Sequence, residues 1–202
     1  MPRRTVALIA GASGSGKSRL ARLTGWPVLR LDNFYRAETD PGMPLGTDGL
    51  IDWDDIRAWD ANAASTAIVG LSSEGVVDVP IYDIAANAPR GQQTIDSGDA
   101  PAFVAEGIFA SAVLAACREA GLPVVAIWLD RGRLMTWWRR LRRDVREHRK
   151  PLPVLLRRGV ALSRAEPSLR RAAVTAGFTP MTMRQATINL KRIVSPLPDP
   201  AA

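Results

Sequence analysis

This chain of 202 residues is nearly devoid of cysteine and histidine, with only Cys117 and His148. A single thiol can neither close an intrachain disulfide nor supply a zinc site. Cys117 falls in the Ala-rich pattern Ser111-Ala-Val-Leu-Ala-Ala-Cys117, where it reads as buried apolar filler. No apolar run approaches the length that spans a bilayer. The opening Met1-Pro-Arg-Arg-Thr5 leads straight into a core-like run without a signal-peptide layout, so a cytoplasmic protein with no membrane partner is expected. With 47% hydrophobic and 23% charged residues, the composition is that of a folded globular chain.

Lysine is scarce too: the 27 basic residues are almost all arginine. That bias weakens any step from the net charge of +7 to a nucleic-acid partner, and none is expected. The charge is segregated. Arginines crowd residues 131–171, whereas Asp48, Asp52, Asp54, Asp55 and Asp60 gather in the N-terminal half. A phosphate site beside a hydroxyl-binding site would divide charge in this way.

Apolar runs at Thr5–Ala10, Pro27–Leu31, Ala102–Ala105 and Val124–Leu129 suit strands covered on both faces. Helical patterns are read at Lys17–Leu23, Trp53–Ala67, Ser111–Ala120, Arg133–Lys150, Leu152–Arg164, Glu166–Ala176 and Thr182–Ile193. Residues 36–50 read as a mobile loop. Val76–Val79 is expected to pair with Thr94-Ile95 as a small hairpin turning at Gly91. The alternation predicts a three-layer α/β fold, a mainly parallel sheet flanked by helices, in a single domain over 1–202. A helical lid is placed at about 131–150 and a C-terminal helical segment at about 152–194. Chemistry in such sheets sits at the carboxyl ends of strands, here Gly11, Asp32, Glu106 and Asp130.

Gly11-Ala12-Ser13-Gly14-Ser15-Gly16-Lys17-Ser18 matches G-x-x-x-x-G-K-[ST] in full, between an apolar strand and a helix. Its glycines let backbone N–H groups curl around phosphates at a helix N-terminus. Lys17 would reach the β- and γ-phosphates, and the Ser18 hydroxyl would ligate Mg²⁺, so ATP and Mg²⁺ are the expected cofactors. Asp32, closing a strand beside this loop, could take a hydroxyl proton during phosphoryl transfer, or could be a turn aspartate. Glu106 ends a buried strand, where a carboxylate suits metal support. Asp54 on its own fits helix capping. Arg140 and Arg143 share a helix face and suit phosphate oxygens.

The order of these motifs resembles the uridine kinase family of P-loop kinases. The resemblance rests on the phosphate loop followed by Leu31-Asp-Asn-Phe-Tyr35, Asp54-Asp-Ile-Arg-Ala-Trp-Asp60, Val79-Pro-Ile-Tyr-Asp83, Ala105-Glu-Gly-Ile-Phe109 and Arg139-Arg-Leu-Arg-Arg-Asp144. It implies an ATP-dependent phosphotransferase acting on a small-molecule hydroxyl, with a uridine- or cytidine-like nucleoside as acceptor. It assigns Asp32 as general base, with Lys17, Arg140 and Arg143 as its catalytic companions. Ser18 and Glu106 fall to the metal, Asp54 to the ribose hydroxyls, and Tyr35, Tyr82 and Asn87 to the acceptor. Ile84 stands where the family carries an aromatic residue and Asn87 where it carries a histidine, so base recognition departs from the family pattern. An alternative is a nucleotide-binding ATPase or regulator without small-molecule kinase activity. ATP against GTP as donor, and assembly as a homo-oligomer, are left open.

Overall fold

The computed structural model describes residues 3–131 and 166–194. Five strands form one parallel sheet: β1 (Thr5–Ala10), β2 (Val28–Arg30), β5 (Ala102–Glu106), β6 (Val124–Leu129) and β7 (Thr179–Met181), in the order β2-β5-β1-β6-β7. Side chains alternate across β1, the central strand. Val6, Leu8 and Ala10 face a core shared with α2 (Ala61–Ser73) and α3 (Leu114–Glu119). Ala7 and Ile9 face α1 (Lys17–Thr24) and α5 (Met183–Val194). The helix over 166–176, α4, joins the first face through Ala173. These are the three layers that the alternation of strands and helices predicts.

β3 (Val76–Asp83) and β4 (Ala88–Asp96) form a separate antiparallel hairpin. The expected pairing is present, Val77 with Ile95 and Asp78 with Thr94. Its turn, however, lies at residues 84–87 and not at Gly91. Asp83 Oδ1 accepts from the N–H groups of Ala85 and Ala86, and Asn87 takes the left-handed conformation (φ 48°) that asparagine tolerates. Gly91 sits inside β4, opposite a register shift between Pro80 and Tyr82, and so marks an irregularity in the strand.

The helix expected from Trp53 starts only at Ala61. Trp59 is the cause. Its backbone forms an isolated bridge with Tyr35, and its buried indole N–H donates to the Leu31 carbonyl at 2.7 Å. Asp60 N donates to Phe34 O, Arg36 N donates to Ala58 O, and the Asp60 carboxylate then caps α2 on Ala63 N. Backbone groups spent on this neighbouring segment cannot also start a helix. Smaller differences follow the same accounting. Leu31–Phe34 is a 3₁₀ turn closing β2, and Ala110–Val113 is 3₁₀ before α3 begins. β7, a three-residue strand, was not anticipated. Among the described residues, no helix is long and apolar enough to cross a membrane.

Candidate active site

The parallel arrangement brings the ends of β1, β2, β5 and β6 to one edge of the sheet. The phosphate loop, residues 11–18, joins β1 to α1 there. Gly11, Gly14 and Gly16 have positive φ (152°, 88° and 100°). At Gly16 a Cβ would also come within 3.1 Å of Met183 Cε, and at Gly11 within 3.1 Å of the Leu129 carbonyl, so both positions need glycine. Lys17 is buried, and its Nζ donates to the carbonyls of Gly11 (2.9 Å) and Ala12 (3.3 Å). The ammonium is thus held over the loop's own mouth. The Ser15 Oγ is buried in the same loop without a hydrogen-bond partner among the described residues. Arg131 brings its guanidinium close to Gly16, with Cζ 3.7 Å from where a Cβ would stand.

Ser18 and Glu106 meet at this edge. The Ser18 hydroxyl donates to Glu106 Oε1 at 2.8 Å, and Glu106 is buried at the end of β5, paired in register with Ile9 and Arg30. Asp32 lies in the first turn of the 3₁₀ segment after β2, next to this pair. Gly107 permits the approach: a Cβ there would lie 2.8 Å from Leu31 Cβ and 3.3 Å from Asp32 Oδ1. The cluster consists of hard oxygen donors beside an ammonium and a glycine-rich turn. Such a set suits a magnesium-bound triphosphate.

A second set lines the neighbouring edge. The Tyr35 ring lies 5.9 Å from Trp53, 5.7 Å from Tyr82 and 6.0 Å from Phe109, and its hydroxyl donates to the Trp53 carbonyl at 3.0 Å. That bond anchors the peptide leading into Asp54. Capping at this helix falls to Asp60, and Asp55 holds Arg57, which keeps its carboxyl down at about 2. The Tyr82 hydroxyl is buried without a hydrogen-bond partner among the described residues. Burial, with the Glu38 carboxylate adding to it, pushes the phenol up to about 12. Asn87 Nδ2 donates to Glu38 Oε2 (2.7 Å) while Glu38 N donates to Asn87 O (2.8 Å), a reciprocal clamp between hairpin and loop.

Sequence reasoning did not single out Trp53, Glu38, Gly107 or Met183. The aromatic residue directly before Asp54 was a usable signal for Trp53. Glu38 had none, because its position depends on the hairpin folding over the loop. Arg140, Arg143 and His148 lie outside the described residues. So do the helices expected over 133–150 and 152–164.

No protein-family model and no curated protein matches the chain. Among solved structures, the chain is similar to a provisionally named fructose transport system kinase from Silicibacter sp. TM1040. The two share 18% identity and a TM-score of 0.59, over 90% of each chain. A provisionally named uridine kinase from Bacillus stearothermophilus matches 68% of this chain and 76% of its own, at 21% identity and a TM-score of 0.45. The first likeness establishes the fold. The chain shares the three-layer α/β fold of that structure.

Proposed function

We propose that the chain is an ATP-dependent phosphotransferase, moving the γ-phosphate of MgATP to a hydroxyl of a small molecule of the nucleoside kind. The observation that carries this reading is the convergence of Lys17, Ser18, Glu106 and Asp32 at one edge of the sheet. The kinase name of the first structural neighbour agrees with it.

In this reading Lys17 exchanges its carbonyl partners for β- and γ-phosphate oxygens, and the N–H groups of residues 11–18 hold the remainder. Ser18 and Glu106 would hold Mg²⁺, which neutralises phosphate charge when bound. Asp32 accepts the acceptor's hydroxyl proton as its oxygen bonds to the γ-phosphorus. The bond from phosphorus to the β–γ bridging oxygen breaks, and ADP leaves with that electron pair. Tyr35, Asp54, Tyr82 and Asn87 position the acceptor. Arg140 and Arg143, assigned from sequence alone, close over the phosphates and exclude water.

The test is ADP release against a panel of uridine, cytidine, pantothenate and sugar phosphates, with wild type and Asp32→Asn. Acceptor-dependent turnover that disappears in the variant is the expected result. Tight ATP binding with no acceptor-dependent turnover would favour a non-kinase nucleotide binder, and turnover that survives Asp32→Asn would remove Asp32 as the base.

A further inference from the structure

The helices on the face of the sheet away from the hairpin carry charge of one sign only. α1 and α5 pack on each other there and contain no aspartate or glutamate between them. Arg19, Arg22, Arg184, Lys191 and Arg192 are all exposed. Among the described residues, no carboxylate pairs with Arg19, Arg22, Arg184 or Arg192. The acidic β3–β4 hairpin packs through Val77, Val79 and Ile95 on the opposite face and does not offset them.

Between the two helices runs a groove of about 260 Å³. The buried Leu20 and Leu190 line it, along with the more exposed Leu23, Trp26, Thr187 and Lys191. Leu23 is 51% exposed and Ile188 45%, which is high for large apolar side chains. Helical spacing puts Ile188 and Arg184 on the face of α5 that carries Lys191 and Thr187, and puts Arg19 one turn from Leu23 on α1. Arg184 and Lys191 are seven positions apart, roughly 10 Å along the helix.

These features fit one kind of occupant. The groove is smaller than the roughly 300 Å³ at which small-molecule sites begin, so a few side chains would fill it better than a cofactor. A second copy docked about a two-fold axis would set cation against cation. A nucleic-acid backbone makes no use of apolar lips, and a flat bilayer surface does not reach into the depth between two helices. An amphipathic helix does both: its apolar stripe enters such a groove at i, i+3, i+4 and i+7, and carboxylates on its flanks meet the cations.

We propose that the α1–α5 groove is a docking site for an acidic amphipathic helix of another protein. Leu23 and Ile188 are its apolar lips, and Arg19, Arg184 and Lys191 its charged contacts. The inference does not depend on the phosphotransferase reading.

The test uses three synthetic peptides of about 18 residues, long enough to hold a helix. One carries leucines at helical spacing with glutamates on both flanks. The second has lysine in place of each glutamate, and the third is the acidic sequence scrambled so that the stripe is broken. Binding to the full chain is followed by fluorescence anisotropy of the labelled peptide, at low and at physiological salt. The acidic amphipathic peptide should bind at least about 10-fold more tightly than either of the others. Leu23→Ser should weaken it by roughly 5–10-fold. The double variant Arg184→Gln/Lys191→Gln should weaken it by roughly 5-fold and flatten its salt dependence. Both variants should unfold within about 3 °C of wild type, which separates loss of the groove from loss of the fold. No binding, or equal binding of the scrambled peptide, overturns the proposal. So does binding that both variants retain in full, because the contact would then lie on another basic part of the chain. Vesicles rich in phosphatidylserine should not bind; vesicle binding that Leu23→Ser abolishes would assign this face to a membrane and overturn the proposal.

Discussion

Gly107→Ala tests whether close packing behind Asp32 is what places the carboxylate. The added methyl would stand 2.8 Å from Leu31 Cβ and 3.3 Å from Asp32 Oδ1. Leu31 is fully buried, and its carbonyl is held by the Trp59 indole, so the Cβ cannot swing away as the end of a flexible side chain could. The 3₁₀ segment Leu31–Phe34 must shift as a body and carry Asp32 with it. Overpacking of this kind costs about 1–3 kcal/mol. For a domain of this size each kcal/mol lowers the midpoint by roughly 2–4 °C, so thermal unfolding followed by circular dichroism should fall by about 3–10 °C. A displacement of even a fraction of an ångström at a proton acceptor is expected to cut kcat by roughly 10-fold or more. Gly70→Ala is the matched control. That glycine lies inside α2 with only Val77 Cγ2 at 3.8 Å, and alanine there should raise stability by about 0.5–1 kcal/mol. An unchanged midpoint and full turnover in Gly107→Ala would refute the idea that this contact positions the carboxylate.

Lys17→Ala should lower acceptor-dependent turnover by about 100-fold or more while thermal unfolding stays cooperative; a loss of fold would show that the buried ammonium is structural. Trp59→Phe leaves the Leu31 carbonyl without its donor, and should cost about 1–3 kcal/mol in denaturant unfolding. Asp60→Ala removes the cap on α2 at a cost of about 1 kcal/mol, whereas Asp54→Ala should raise KM for the acceptor. Tyr82 offers a pH test. Its folded pKa of about 12 lies above the ordinary 10, so the fold favours the protonated phenol. That contribution is complete below pH 10 and is lost as pH rises through 12. The chain has two tyrosines, so in Tyr35→Phe the phenolate absorbance should appear near 12 in the folded protein and near 10 in denaturant. A native midpoint near 10 would contradict the burial of that hydroxyl.

The donor half was legible because its signals are local. The spacing from Gly11 to Ser18 encodes a loop, and four apolar runs encode strands whose ends must lie together once the sheet is parallel. Asp32 and Glu106 could be expected beside the loop from strand ends alone, and the Ser18 hydroxyl donates to Glu106. The acceptor half was less legible because its geometry is set across the chain. Helical spacing in Ile56, Trp59 and Ala63 pointed to a helix from Trp53, but Trp59 is drawn into a bridge with Tyr35, 24 positions earlier in the numbering. Gly91 read as a turn because glycine is the usual turn residue. The hairpin turns instead on Asp83, whose carboxylate accepts the local hydrogen bonds, and on Asn87, which takes the left-handed conformation. Glu38 gains its neighbours only when the hairpin closes over the loop.

The separateness of the β3–β4 hairpin bears on how such a protein changes over time. The hairpin forms its own two-stranded sheet, outside the five strands that carry the phosphate loop. Changes at its tip, at positions such as Ile84 and Asn87, can therefore accumulate without disturbing the packing of β1, β5 and β6. The sheet acts as a stable chassis, and the hairpin as an exchangeable attachment. A chain built this way can change at the hairpin while its phosphate loop is inherited intact.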